Sequence, residues 1–314
     1  MPRPLRHVPE KSSLVEVTIK TIGGRFLLKP TRQHREIIIG ILGRAQRKYP
    51  LLIHSFCAMS NHIHLLLTPG SAKRLAQFMG FVNSNLAREA GRLAGWRSRF
   101  WARRYQAIVV SHEEPAQVER LRYLLSHGCK EGLVASPVHW PGAASVTAQL
   151  AGTVAIKGLW FNRTAEYNAR LRGERHDPLA CAEEEVMILS PLPSWAHLSP
   201  EQYRERIAGL VGEIEEETAR LHAQAGTEPA GVAFVLAQRY EDVPRKPKRS
   251  PAPAVHAYAR RVRKAMVEAY RAFYAAFREA AEALKAGTLD AVFPDGSFPP
   301  GRPFVGEVPE LAPG

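Results

Sequence analysis

The run Ser60-Asn61-His62-Ile63-His64-Leu65-Leu66-Leu67 sets two histidines one residue apart in an otherwise apolar stretch. Side chains of a β-strand alternate faces, so residues two apart leave the same side. His62 and His64 on one rigid strand therefore have the geometry of two metal ligands. The spacing fits equally a half-buried pair on an edge strand, because a chain with 12 histidines meets an H-x-H pattern readily by chance. The metal reading gains weight if something reactive faces the pair. Tyr123, on a helix predicted over residues 114–128, is the candidate, and His127 lies four residues later on the same helix face.

The elements that must position these residues follow from periodicity. Residues 13–22 alternate and are β-branched, which predicts a strand. Ile37, Ile38, Ile41, Leu42 and Ala45 recur at helical spacing within residues 31–48. Strands are predicted at 52–59 and 62–68, joined by the short Ser60-Asn61 connection and stopped by Pro69-Gly70. A helix over 71–94 and a strand over 105–111 complete a β-α-β-β-α-β order, the ferredoxin-like plan of an α+β domain. The helix at 114–128 comes next, with Pro115 near its start and Gly128 near its end.

Beyond residue 147 the character changes. An acidic, partly helical extension occupies 148–241, where Ser199-Pro200-Glu201-Gln202 reads as a capping box opening a helix that ends near Gly226. A basic, proline-rich linker follows at 242–254. A long amphipathic helix is expected over about 255–286, with Val255, Tyr258, Val262, Met266, Tyr270 and Phe273 on its apolar face, and then a tail rich in Pro and Gly. The C-terminal extension as a whole is thus expected to be mainly helical.

The net charge of +13 and a pI near 9.9 point to a polyanionic partner. Residues 1–147 hold 22 Lys+Arg against 8 Asp+Glu, so the segment with the histidines and Tyr123 is the basic one. No basic amphipathic anchor adjoins it, which favours nucleic acid over a lipid surface. Arg97, Arg99, Arg103 and Arg104, interleaved with Trp96, Phe100 and Trp101, form the best candidate DNA-contact patch: arginine clamps phosphate while aromatic faces stack on unpaired bases. A solvated basic face over core aromatics fits the same residues. Lys73 and Arg74, just after the histidine strand, are further candidates for phosphate contact. Three cysteines without C-x-x-C spacing argue against a disulfide framework, and no run has the length of a membrane span. A cytoplasmic protein with no membrane partner is expected.

Met59-Ser60-Asn61-His62-Ile63-His64-Leu65-Leu66-Leu67 resembles the histidine-hydrophobe-histidine signature of the single-tyrosine transposases, in particular the REP-associated tyrosine transposase branch. Phe100-Trp101-Ala102-Arg103-Arg104-Tyr105-Gln106-Ala107-Ile108 resembles the segment before their last core strand. Leu121-Arg122-Tyr123-Leu124-Leu125 resembles their nucleophile helix, and Trp140-Pro141-Gly142 their exit from it. The resemblance covers roughly residues 12–146.

It implies a metal-dependent DNA strand transferase acting on single-stranded DNA hairpin ends. His62 and His64 would bind a divalent metal, Mg²⁺ or Mn²⁺, and Tyr123 would attack the scissile phosphate to leave a 5′-phosphotyrosine. Family members are often homodimers that set one subunit's tyrosine helix against the other's histidines. Where the family often carries Asn or Gln four residues after the nucleophile, this chain has His127, which would make a three-histidine set. Tyr105 is the rival nucleophile. The alternative reading is a domesticated, non-cleaving regulator that binds DNA or RNA hairpins; a phosphodiesterase using water is a third.

Overall fold

The computed structural model describes residues 5–173, 178–244 and 253–301. The basic run at 245–249 and the end of the tail lie outside the described residues.

Strand β1 (Leu14–Lys20) leads to α1 (Arg32–Lys48), to the hairpin strands β2 (Leu52–Met59) and β3 (His62–Thr68), and then to α2 (Ala72–Leu93) and β4 (Gln106–Val110). Both helices start where a hydroxyl satisfies an orphan backbone donor: Thr31 accepts from the N–H of His34, and Ser71 from that of Arg74. The four strands lie in the order β2-β3-β1-β4, every pair antiparallel. This is the ferredoxin-like α+β arrangement expected from the order of elements.

The rest of the chain supplies α3 (Glu114–Leu125), α4 (His127–Lys130), α5 (Val146–Ala151), β5 (Ala155–Phe161), α6 (Arg163–Leu171), β6 (Ala182–Ile188), α7 (Pro200–Ala225), α8 (Gly231–Ala237), β7 (Val255–His256) and α9 (Arg260–Lys285). Strand alternation sorts the core. Val15, Val17 and Ile19 of β1, with Ile63, Leu65 and Leu67 of β3, pack with Ile38, Ile41 and Phe78 of α1 and α2. Leu14 and Leu66, of opposite parity, join Leu121, Leu124 and Leu125 of α3 and Ile207, Leu210 and Ile214 of α7. Both faces of the sheet are thereby covered, and His62 and His64 share the α3 face with Leu66.

Three features differ from expectation. The segment 148–241, expected as a partly helical extension, contains the antiparallel hairpin β5–β6, which packs on α1. Neither strand alternates cleanly in sequence, and β6 carries three consecutive glutamates after Ala182, so periodicity gave no signal. Two of those glutamates are matched from α1, where Arg44 reaches Glu183 and Glu185 at 2.8 and 2.6 Å and Arg47 reaches Glu185 at 2.7 Å; Glu184 pairs with Lys157 of β5 at 2.7 Å. Second, Val255 and His256 form a short strand paired parallel with β4, not the start of the last helix, and Tyr258 is exposed. Third, the helix predicted over 114–128 is divided at Ser126 into α3 and α4. The capping box at Ser199 and Gln202 is formed, and α7 ends at Gly226 with a left-handed φ of 59°.

Candidate active site

The site grows out of the pairing of β1 with β3. Thr18 stands directly opposite His64 and Lys20 opposite His62, so these side chains share one face. α3 and α4 cross that face and bring Tyr123 and His127 to it. The ring centroids of His62 and His64 lie 5.0 Å apart, those of His62 and His127 4.8 Å, and those of His64 and His127 4.6 Å. Tyr123 joins the group, its ring centroid 5.5 Å from His64 and 5.2 Å from His127. One chain supplies all four side chains. The break at Ser126 does not separate them, since Ser126 is itself in the right-handed helical conformation.

The ligand nitrogens of His62, His64 and His127 all lie within 4.8 Å of one another. The other ring nitrogens of His62 and His64 are engaged. His62 Nδ1 lies 2.6 Å from Asn61 Oδ1, and Asn61 is fixed in turn by its amide donating to Gly24 O. His64 Nδ1 lies 3.0 Å from Thr18 Oγ1 and 3.2 Å from Glu16 Oε1. With Nδ1 donating, each Nε2 keeps its lone pair for the centre of the cluster. His62 Nε2 lies 2.7 Å from His127 Nε2, a hydrogen-bond distance, so the two nitrogens face one another. Burial, then the nearby charges of His64, His127 and Lys20, hold the His62 imidazole well below its usual range, in the neutral form that binds metals. This donor set fits a divalent ion. It is nitrogen-rich, which suits Mn²⁺ better than oxygen-seeking Mg²⁺.

Tyr123 is half-buried. Lys130 Nζ lies 4.6 Å and the Arg120 guanidinium 5.1 Å from its ring centroid. Burial raises the phenol's pKa and the Glu16 charge adds to this, while Arg120 opposes it, so the hydroxyl keeps its proton at neutral pH. Glu16 is itself buried; desolvation opposes its ionisation, but His256 and His64 outweigh it and hold the carboxyl far below the usual range.

The remaining candidates are scattered. Trp101 bridges to Thr21, and the N–H of Ala102 donates to Lys20 O, so the arginine-rich loop lies at the His62 end of the sheet. Arg97 and Arg103 are exposed there and Arg104 is half-buried. Arg99 donates to the carbonyls of Trp101 and Ala102, and Trp101 to that of Asn83, so these two side chains hold the loop in shape. Phe100 is core. Tyr105, the rival nucleophile, is buried in the core on the far side of the strand from the histidines, with the Arg6 guanidinium 5.5 Å from its ring centroid. Lys73 and Arg74 sit at the opposite end of β3, about 20 Å along the strand from His62, and Arg74 donates to Pro50 O. Thr18, Glu16 and His256 were missed by sequence reasoning. The alternation of β1 places Glu16 and Thr18 on one face, but only the register sets them beside His64.

Among the described residues no helix is long and apolar enough to cross a membrane. No curated protein matches the chain. A solved structure described as a REP-associated tyrosine transposase bound to a REP hairpin is similar at 14% identity and a TM-score of 0.41, covering 48% of this chain and 86% of that one. Residues 28–124 match the family model described as Transposase IS200 like, a span that contains His62, His64 and Tyr123. The chain thus carries a transposase IS200-like domain.

Proposed function

We propose that this protein is a metal-dependent tyrosine transposase that cleaves and rejoins single-stranded DNA at hairpin ends. The observation that carries the reading is the convergence of His62, His64, His127 and Tyr123 within one chain. His62, His64 and His127 would hold the divalent ion, Mn²⁺ by preference. A bound ion offsets charge on the non-bridging phosphate oxygens and orients the group.

Tyr123 is the nucleophile. Its oxygen bonds to phosphorus as the bond to the 3′ oxygen breaks, giving a 5′-phosphotyrosine; the phenolic proton is lost and the departing oxygen becomes a 3′-hydroxyl. Lys130 and Arg120 beside the ring favour the phenolate as it forms. A phenol of pKa about 10 is a better leaving group than an alkyl alcohol, so a second DNA hydroxyl can reverse the step without an added energy source. Arg97, Arg103 and Arg104 would meet the phosphate backbone beside His62. Lys73 and Arg74 would serve only a strand that runs the length of the sheet. Residues 1–147 form the catalytic unit in this reading, and 148–241 brace it. A homodimer is not needed to complete the site, because Tyr123 already faces the histidines of its own chain.

The test is incubation with end-labelled single-stranded DNA from the flanks of the gene, with Mn²⁺ or Mg²⁺. A covalent adduct that disappears in Tyr123→Phe is expected. An adduct that persists in that variant overturns the nucleophile assignment; cleavage with no adduct favours a hydrolase, and binding without cleavage a hairpin-binding regulator.

A further inference from the structure

Glu16 is a carboxylate in the middle strand of the five-stranded sheet, 4% exposed, at a position where an apolar side chain would be cheaper to bury. Its neighbours account for it. Oε1 lies 3.2 Å from His64 Nδ1, Oε2 lies 3.0 Å from His256 Nε2, and Arg120 approaches Oε2 at 3.7 Å. His256 comes from β7, the two-residue strand that adds parallel to β4, so the C-terminal segment reaches back into the sheet and ends its reach on this carboxylate.

We propose that Glu16 is a positioning residue for the metal centre: it holds the His64 ring by Nδ1 so that Nε2 faces the ion, and His256 holds Glu16. The proposal rests on the three-histidine reading above. An imidazole can rotate about its last side-chain bond and exchange its proton between two nitrogens; an acceptor on Nδ1 removes both freedoms and makes Nε2 a stronger donor. Asn61 does this for His62 with a neutral oxygen at 2.6 Å. His64 has Thr18 Oγ1 as well, but a hydroxyl can donate as readily as accept, and only the carboxylate enforces one tautomer. Because His256 belongs to the segment beyond the basic linker, the C-terminal extension is coupled to metal binding and not merely appended to the domain.

The experiment is Mn²⁺ binding by calorimetry to the full chain, with the visible spectrum of the Co²⁺-loaded protein and a thermal melt for each variant. Glu16→Gln is expected to weaken Mn²⁺ by about tenfold or more and to change the Co²⁺ spectrum, with Glu16→Asp partly restoring both. His256→Gln should give a smaller loss in the same direction. His64→Ala serves as reference and should lose binding. If His64→Ala loses the metal while Glu16→Gln binds it like the wild type, the metal centre stands and the role of Glu16 is overturned. If the wild type binds no Mn²⁺, the metal reading and this proposal fall together. Should Glu16→Gln not fold, His256→Gln carries the test, since it alters an edge strand and leaves the core intact; unchanged affinity there overturns the coupling.

Discussion

Histidine does two kinds of work in this chain, and burial separates them from those at the surface. His62, His64 and His127 turn ring nitrogens toward one another around a common centre. His54 is equally buried but fully occupied: Nδ1 donates to Pro191 O at 2.7 Å, and Nε2 lies 2.9 Å from Thr68 Oγ1. Burial pushes His54 down to about 4, and His34, buried beside Thr31, likewise to about 4. Both are neutral in the folded protein near neutral pH. As pH falls below 6.5 the unfolded chain takes up these protons first, so stability present above pH 6.5 is lost on the way down to about pH 4. Each site is worth about 3 kcal/mol at the bottom of that window. Thermal melts from pH 7 to 4.5 should show the fall, and His54→Asn should roughly halve it; a wild-type melting temperature unchanged across the window would refute the assignment.

At the scale of elements, α1 is the pivot between the five-stranded sheet and the extension. It buries Ile38 and Ile41 on the sheet side and carries Gly40 and Gly43 against the β5–β6 hairpin. A Cβ at Gly40 would stand 2.2 Å from the Leu159 carbonyl oxygen, and one at Gly158 would stand 2.3 Å from Gly40 N. Helix and strand backbones touch here, with no side chain between them to yield. Gly40→Ala should therefore cost at least the upper end of the usual 1–3 kcal/mol for overpacking, or about 3 kcal/mol, seen as a lower urea midpoint. A midpoint equal to the wild type would mean that the hairpin does not dock on α1. On the other face α7 braces α3, through Ile207 and Leu210 in its core and through Arg122, which reaches Glu217 at 2.5 Å. That brace sits one residue from Tyr123 and keeps it against the histidines of its own sheet.

Over the whole molecule, charge is divided between the two halves. The half that carries the histidine cluster is basic, and part of the acidic extension pairs with its cations, as in Arg44 with Glu183 and Arg122 with Glu217, while Arg163 of the extension answers Glu89 in return. The arginine-rich loop at the His62 end of the sheet keeps Arg97 and Arg103 exposed. Binding to single-stranded DNA should then weaken steeply with salt, and Arg97→Ala and Arg103→Ala should each reduce the slope of log K against log salt by about 0.7. Slopes unchanged in both variants would place the DNA track elsewhere on the surface.

The sequence alone determined the local elements and one half of the site. Alternation marked β1 to β4 and helical spacing marked α1 and α2 nearly to the residue, because those signals depend on neighbours in the chain. The placing of His62 and His64 on one face needed only the two-residue period of a strand. The tertiary structure decided the rest. Glu16 lies 48 residues from His64 and His256 lies 240 from Glu16, and no periodicity links positions so far apart. The β5–β6 pair lacks a sequence signal because Glu183 and Glu185 are answered by Arg44 and Arg47 of a distant helix rather than by its own alternation. Whether a buried polar residue is a liability or part of a site depends on partners that only the folded register brings within reach.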